Sequence, residues 1–282
     1  MAKVDLVFRQ IDERTRDVAL ALAQEHIRPE NTFILDDVRP FTECVNQMLR
    51  IEHDCDYVVY VDADCLILED MRAFIDACDA PYVDAYVSDR FRGRLHCGVH
   101  ITRIDVVRAM AATTVPENDL KYVLRPESRL RNLAMKPMGS SKQFRNFDIL
   151  HDHFQSYHHV FMKYALRQLR SRTKVQSQRL TRAMRAWKTE DGAMCDLTMA
   201  RHAVEFARQA VPASASPKQV HDFIEALPQH ASAEIARLGL EEKGRFTREE
   251  LDAWLVENRG RVAYGQSAQK PKVFGLGLSS TG

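Results

Sequence analysis

Apolar residues gather in short blocks in the first hundred positions and in helical spacing after about residue 150. Val4-Asp5-Leu6-Val7-Phe8, Thr32-Phe33-Ile34-Leu35 and Tyr57-Val58-Val59-Tyr60-Val61 are β-rich runs. Between them, 18–25 and the stretch carrying Val45, Met48 and Leu49 have the composition and spacing of helices. The third run is nearly unbroken in apolar residues, as expected of a strand covered on both faces. Strand, helix, strand, helix, strand at this spacing predicts an α/β fold: a doubly wound, mostly parallel sheet with right-handed crossovers. Further strands are predicted at 83–87 and 97–101, and helices at 69–77 and 104–112. The pattern dissolves into Pro, Arg, Ser and Gly over 115–146, which predicts a mobile loop. Helix-type composition then dominates at 151–171, 178–188, 195–210, 218–227 and 248–258.

Three regions follow: a nucleotide-binding α/β domain over 1–150, a helical C-terminal extension over 151–262, and a disordered tail over 263–282. Charge supports the first division. The chain of 282 residues carries a net +1, but 1–150 holds 20 basic against 25 acidic residues and the remainder 20 against 14. No apolar run reaches about 18 residues, so no membrane span is expected. The N-terminus lacks the apolar core of a signal peptide. Six scattered cysteines without a C-x-x-C pair read as reduced thiols of a cytoplasmic protein.

Ligands of open α/β sheets bind beyond the carboxyl ends of the strands. Arg9, Asp36-Asp37 and Asp62-Ala63-Asp64 fall at those ends. Two carboxylates one residue apart, at the end of a buried strand, repel each other and lose solvation. A divalent cation removes that penalty, and oxygen ligands favour Mg2+ or Mn2+ shared with substrate phosphates. An acidic turn capping a helix is the plain alternative.

The run Pro40-Phe41-Thr42-Glu43-Cys44-Val45-Asn46-Gln47-Met48-Leu49, followed by Asp56-Tyr57-Val58-Val59-Tyr60-Val61-Asp62-Ala63-Asp64, resembles the GT-A glycosyltransferases, especially the bacterial family-2-like enzymes. His96-Cys97-Gly98-Val99-His100-Ile101-Thr102-Arg103 is similar to that family's acceptor-side strand. The resemblance covers roughly 150 residues. It implies a GT-A fold and transfer of a sugar from a nucleotide-diphosphate donor, with UDP favoured, to a glycan or lipid-linked acceptor of bacterial polysaccharide biosynthesis. It further implies that Phe8 and Arg9 flank the nucleotide, that Asp36 or Asp37 contacts the base or ribose, that Asp62 touches ribose or metal, and that Asp64 ligates the metal. The end of the second strand reads Asp-Asp-Val-Arg instead of the common Asp-Gly-Ser type. The family's later Glu-Asp pair and Q-x-x-R-W are absent.

Asp148-Ile149-Leu150-His151-Asp152-His153 opens the densest titratable cluster. His151, at an expected helix start, is a candidate third metal ligand, and Asp152 a candidate general base. Arg92 and Arg94 are candidates to assist the leaving diphosphate. The stretch 163–188 holds nine basic residues and no acidic one. Mixed signs are usual on solvated helices, so the stretch reads either as a solvated face paired with the acidic first part or as a site for an anionic partner, a charged glycan or a lipid-linked acceptor at the surface of an anionic membrane. Nucleic acid is disfavoured because aromatic residues are sparse there. Rival readings are a non-catalytic GT-A-like binding module and a haloacid dehalogenase-type phosphatase. The latter places its D-x-D on the first strand, whereas two strand–helix units precede Asp62.

Overall fold

A computed structural model describes residues 1–187 and 195–263. Its sheet is built from β1 (Val4–Gln10), β2 (Asn31–Asp36), β3 (Tyr57–Asp62), β4 (Cys65–Ile67), β5 (Tyr82–Asp89), β6 (Gly93–Arg103) and β7 (Gln143–His151). Helices α1 (Arg16–Ile27) and α2 (Phe41–Arg50) link the first three strands. The strands lie in the order β2-β1-β3-β6-β5-β7-β4. The α/β sheet and its early crossovers are as the pattern predicts. Parallel pairing holds for β1 with β2 and β3 and for β5 with β7, while β3–β6, β5–β6 and β4–β7 run antiparallel. The sheet is therefore mixed, because β5 and β6 form a hairpin that no helix interrupts.

β1 and β3 are buried on both faces, with Val4, Leu6, Val7, Phe8, Val58, Val59 and Val61 fully covered. Each such side chain contributes about 1.5–3 kcal/mol of burial, which pins the register that sets Arg9 opposite Asp62.

The region 115–146 is ordered, contrary to the expected loop. α4 (Ile104–Ala111) is followed by α5 (Leu120–Leu124) and α6 (Pro126–Met135), and β7 begins at Gln143. Pro126 occupies the first turn of α6, where its missing N–H costs nothing. His151 ends a strand and does not start a helix; Ser156, whose side chain accepts from His159 N, caps α7 (Tyr157–Arg170). The short α3 (Arg72–Asp76) stands where 69–77 was expected.

The helical layer comprises α7, α8 (Lys174–Ala186), α9 (Asp196–Ala210), α10 (Pro217–Glu225) and α11 (Leu227–Leu238). Its core joins Phe161, Tyr164, Ala203 and Val204 to Phe91 and Leu124, so it is continuous with the α/β part. Met1–Phe246 forms one compact unit, and a second begins at Thr247 with α12 (Arg248–Ala263). The expected tail at 263–282 lies outside the described residues except for its first position. No helix among the described residues is long and apolar enough to cross a membrane, and all six cysteines are free.

Candidate functional site

The turn after β3 is held from two sides. Ala63 N donates to Arg9 O at 2.9 Å, and Thr15 Oγ1 donates to Ala63 O at 2.8 Å. The chain then enters β4, which pairs antiparallel with β7 and sets Cys65 opposite His151. Asp64 precedes the one and Asp152 follows the other, and Asp152 N donates to Asp64 O at 3.3 Å. Two segments distant in sequence are thus tied into one acidic corner. Asp152 takes φ 61°, a left-handed turn conformation that a non-glycine residue adopts at a cost. Gly98 (φ 73°) forms the neighbouring wall: a Cβ there would collide with Cys65 Sγ and sit 3.4 Å from His151 Cδ2. Only glycine allows this close approach.

Asp64 and Asp152 are about 5% and 4% exposed, and Lys163 of α7 pairs with both. His151 places Nε2 at 3.6 Å from Asp64 Oδ1 and Nδ1 at 2.8 Å from Asp89 Oδ2. Cys97 Sγ lies 3.5 Å from the same Nε2. Burial works against the His151 imidazolium, yet Asp152, Cys97 and hydrogen-bonded Asp89 carry its pKa well above the ordinary value. Burial, with Asp89 adding to it, raises Asp152 to about 6. Lys163 is lowered to about 8, mainly by burial and then by Arg167 and Arg170, against the pull of Glu13 and Asp62. Asp152 and Lys163 are thus drawn toward neutrality from opposite sides, a condition common in proton-transfer sites.

Beside this corner opens a cavity of about 470 Å3 lined by residues from the ends of β1 and β3, from α2, α7 and α11. Arg9, Glu13, Asp62, Asp64, Lys163 and Arg170 give it charge; Val38, Pro40, Phe41, Met162 and Leu166 give it apolar walls. Arg9 is buried, with Nε 2.8 Å from Asp62 Oδ1 and one terminal nitrogen 2.6 Å from Glu127 Oε2. Its guanidinium lies 5.4 Å from the ring centre of the half-exposed Phe41.

The structure brings Arg9, Asp62, Asp64, His151 and Asp152 to one end of the sheet. It separates the roles within that set. Carboxylate, thiol and imidazole atoms of Asp64, Cys65 and His151 lie within 4.8 Å of one another, as do those of Asp89, Cys97 and His151, whereas Asp62 is not in either group. Arg9 draws Asp62 aside. Phe8 is fully buried in the sheet core, so its side chain does not flank the cavity. Asp36 and Asp37 are exposed at the end of β2, next to the lining residues Val38 and Arg39; Asp37 pairs with Arg39 at 2.6 Å. Arg94 is exposed, bonded to Asn146 at 3.0 Å, and does not line the cavity. Arg92 is the inward arginine of that turn, 3.0 Å from Asp89.

Glu13, Asp89, Cys97 and Glu127 escaped the sequence reading, and Lys163 entered it only as part of a basic stripe. Glu13 had a local signal, the polar turn after a buried strand. The others acquire meaning only from partners far along the chain.

No protein-family model and no curated protein matches the chain. Solved structures with similar folds include a mannosyltransferase from Pyrobaculum calidifontis in complex with GDP-Man and Mn2+, at 14% identity and a TM-score of 0.39 over 93% of this chain and 81% of that one. The catalytic domain of a Drosophila beta1,4galactosyltransferase 7, complexed with xylobiose, is 13% identical with a TM-score of 0.37 over 51% of this chain and 65% of its own. A 4-diphosphocytidyl-2C-methyl-D-erythritol synthase from Anaerococcus prevotii is 7% identical with a TM-score of 0.38 over 51% and 89%. The chemistry of the cleft is read from its own side chains.

Proposed function

We propose that this chain is a cytoplasmic, metal-dependent glycosyltransferase that moves a sugar from a nucleotide-diphosphate sugar, UDP-linked by preference, to a glycan or lipid-linked acceptor. The observation that carries this reading is the convergence of Asp62, Asp64, His151 and Asp152 beside a cavity whose size and mixed lining suit a nucleotide sugar. The donor set fits a divalent cation: Asp64 offers carboxylate oxygen and His151 an imidazole nitrogen, ligands that Mn2+ accepts and Mg2+ takes less readily. Such a cation, when bound, stabilises charge growing on the departing diphosphate.

The remaining work falls to the protein. Asp89 fixes the His151 ring through Nδ1, leaving Nε2 toward Asp64. Arg9 holds Asp62 at the cavity wall, where its carboxylate would meet a ribose hydroxyl. Phe41, Pro40 and Val38 supply an apolar surface for the nucleobase, with Asp36 and Asp37 at its rim. Asp152, raised to about 6, accepts the acceptor hydroxyl proton. Lys163, between Asp64 and Asp152, offsets the repulsion of the two carboxylates until it turns to a phosphate oxygen.

One observation favours a second reading. Lys163 already sits where a cation is needed, so an ammonium could neutralise the leaving group without any metal. Incubation with UDP-, GDP- and dTDP-sugars, with Mn2+ or with EDTA, decides between these. Nucleotide release that needs Mn2+ and is fastest with a UDP-sugar is expected. Release unaffected by EDTA supports the lysine reading, binding without release a non-catalytic module, and neither binding nor release contradicts both.

The basic stretch divides in two. Lys163 and Arg170 turn into the cavity, while Lys174, Arg179, Arg182 and Arg185 stand exposed on α8. Their exposure supports α8 as the face proposed for peripheral contact with an anionic membrane; Lys188 lies outside the described residues.

A further inference from the structure

α7 carries Tyr164, Arg167 and Arg170 at three-residue spacing, and such residues share a face. Each end of this row is fixed against another element. Phe91 packs on Tyr164 at 4.6 Å between ring centres, which brings the β5–β6 turn, and with it Arg92, against the first turn of the row. Arg170 Nε donates to Leu124 O at 2.7 Å, which brings the end of α5, and with it Arg125, against the last. Arg167 lies between them. Four guanidinium groups are thereby gathered close enough to act on one another, and Arg170 among them lines the cavity.

Their partners do not match their number. Arg92 has Asp89. Among the described residues no carboxylate lies within ion-pair distance of Arg125, Arg167 or Arg170. Mutual repulsion is evident in their acidity: burial first, then the neighbouring arginines, lowers all three, Arg167 to about 10. Two buried polar atoms of the same cluster have no hydrogen-bond partner, the Tyr164 hydroxyl, on a residue 1% exposed, and Arg92 Nε. Like charges are held together at a cost unless an anion shares them, and planar guanidinium forks match phosphate oxygens two at a time.

We propose that Arg92, Arg125, Arg167 and Arg170, with the Tyr164 hydroxyl, form a second-substrate subsite for a phosphate or diphosphate group, so that the acceptor is a phosphorylated molecule. This rests on the transferase reading only for the word acceptor; the anion site stands on the side chains. The group comes either from a soluble sugar phosphate or from a lipid phosphate, and one ligand chemistry serves both.

Inorganic pyrophosphate is titrated calorimetrically into the full chain in EDTA, so that no metal bridges it to the carboxylates. Binding is expected, weakened at least about tenfold by Arg125→Gln with Arg167→Gln, since charge-assisted phosphate contacts are strong. Arg167→Lys keeps the charge without the fork and should lose less. A thermal melt checks folding, and relief of repulsion should leave the double variant no less stable. UDP with Mn2+, titrated into the same proteins, should bind alike; its failure in the wild type would contradict the donor site and leave the anion subsite standing. Vesicles with phosphatidic acid that displace pyrophosphate identify a lipid source, and vesicles that do not identify a soluble one. No pyrophosphate binding up to about 10 mM, or equal binding by wild type, Arg167→Lys and the double variant, overturns the subsite.

Discussion

Lys163 and Arg167 are one turn apart on α7, yet their surroundings differ in kind. Lys163 meets Asp64 and Asp152 and completes a corner in which each charge has an opposite. Arg167 meets Arg92 and Arg125 and has no carboxylate among the described residues. The same contrast holds one layer deeper, where buried Arg9 is matched by Asp62 and Glu127. Matched charges in a protein interior build a scaffold, because removing one partner strands the other. Unmatched cations held beside one another are poised for an anionic ligand. In the sequence both kinds are simply a basic helix.

The sharpest break on the matched side is Glu127→Gln. It leaves Arg9 and Arg131 facing each other across a buried space, 2.6 and 3.6 Å from the lost carboxylate oxygens, and should cost about 3–5 kcal/mol of stability by denaturant unfolding. The pH arm has a definite sign. Burial would raise the Glu127 carboxyl, but Arg9, His100 and Arg131 hold it at about 2, below its ordinary 4.5. The folded state therefore binds fewer protons in that window, and this contribution is complete above pH 4.5 and lost as pH falls through about 2. An unfolding midpoint in the wild type that is flat across this window, and matches the Gln variant, would contradict the pairing.

Next in size is Asp152→Asn. Turnover should fall by about 10²- to 10⁴-fold, as losses of a general base do, with donor affinity retained. The wild-type rate should rise with pH through about 6 as this carboxyl deprotonates, and the variant should lose that limb. A full-rate variant, or loss of donor binding instead of rate, would move the base elsewhere. Gly98→Ala comes third: a side chain at φ 73° against Cys65 Sγ should cost about 1–3 kcal/mol. It should also loosen metal binding by displacing His151. The smallest effect belongs to α8, where Arg179→Glu with Arg182→Glu should change stability by no more than about 0.5 kcal/mol while weakening binding to anionic vesicles. Unchanged vesicle binding would confine the cationic function to the cleft.

How much of this was legible follows from the range of the signals. β1, β2, β3 and the D-x-D could be read because a buried parallel strand is a continuous apolar run ending at a ligand-facing edge. β7 could not: Gln143 to Asn146 are all exposed and only Phe144 among them is apolar, so its first half carries little strand signal, and His151 resembled a helix start. α6 was hidden by Pro126, a breaker within a helix but a good first-turn residue. Arg92 is turned inward because it sits in the β5–β6 turn and pairs with Asp89, whereas Arg94 is already on β6; strand alternation would have placed residues two apart on one face. Asp64 and Lys163 stand 99 residues apart in the chain, and no local pattern announces such a pair.

The central claim, a metal-dependent nucleotide-sugar site built on Asp64, is tested most directly by titrating UDP calorimetrically into wild type and Asp64→Ala, each with Mn2+ and with EDTA. Mn2+ should tighten wild-type binding at least about tenfold, and Asp64→Ala should abolish that gain while its thermal melt still shows a folded protein. Equal affinity with Mn2+ and EDTA in the wild type, or an undiminished Mn2+ effect in a folded Asp64→Ala, would contradict it.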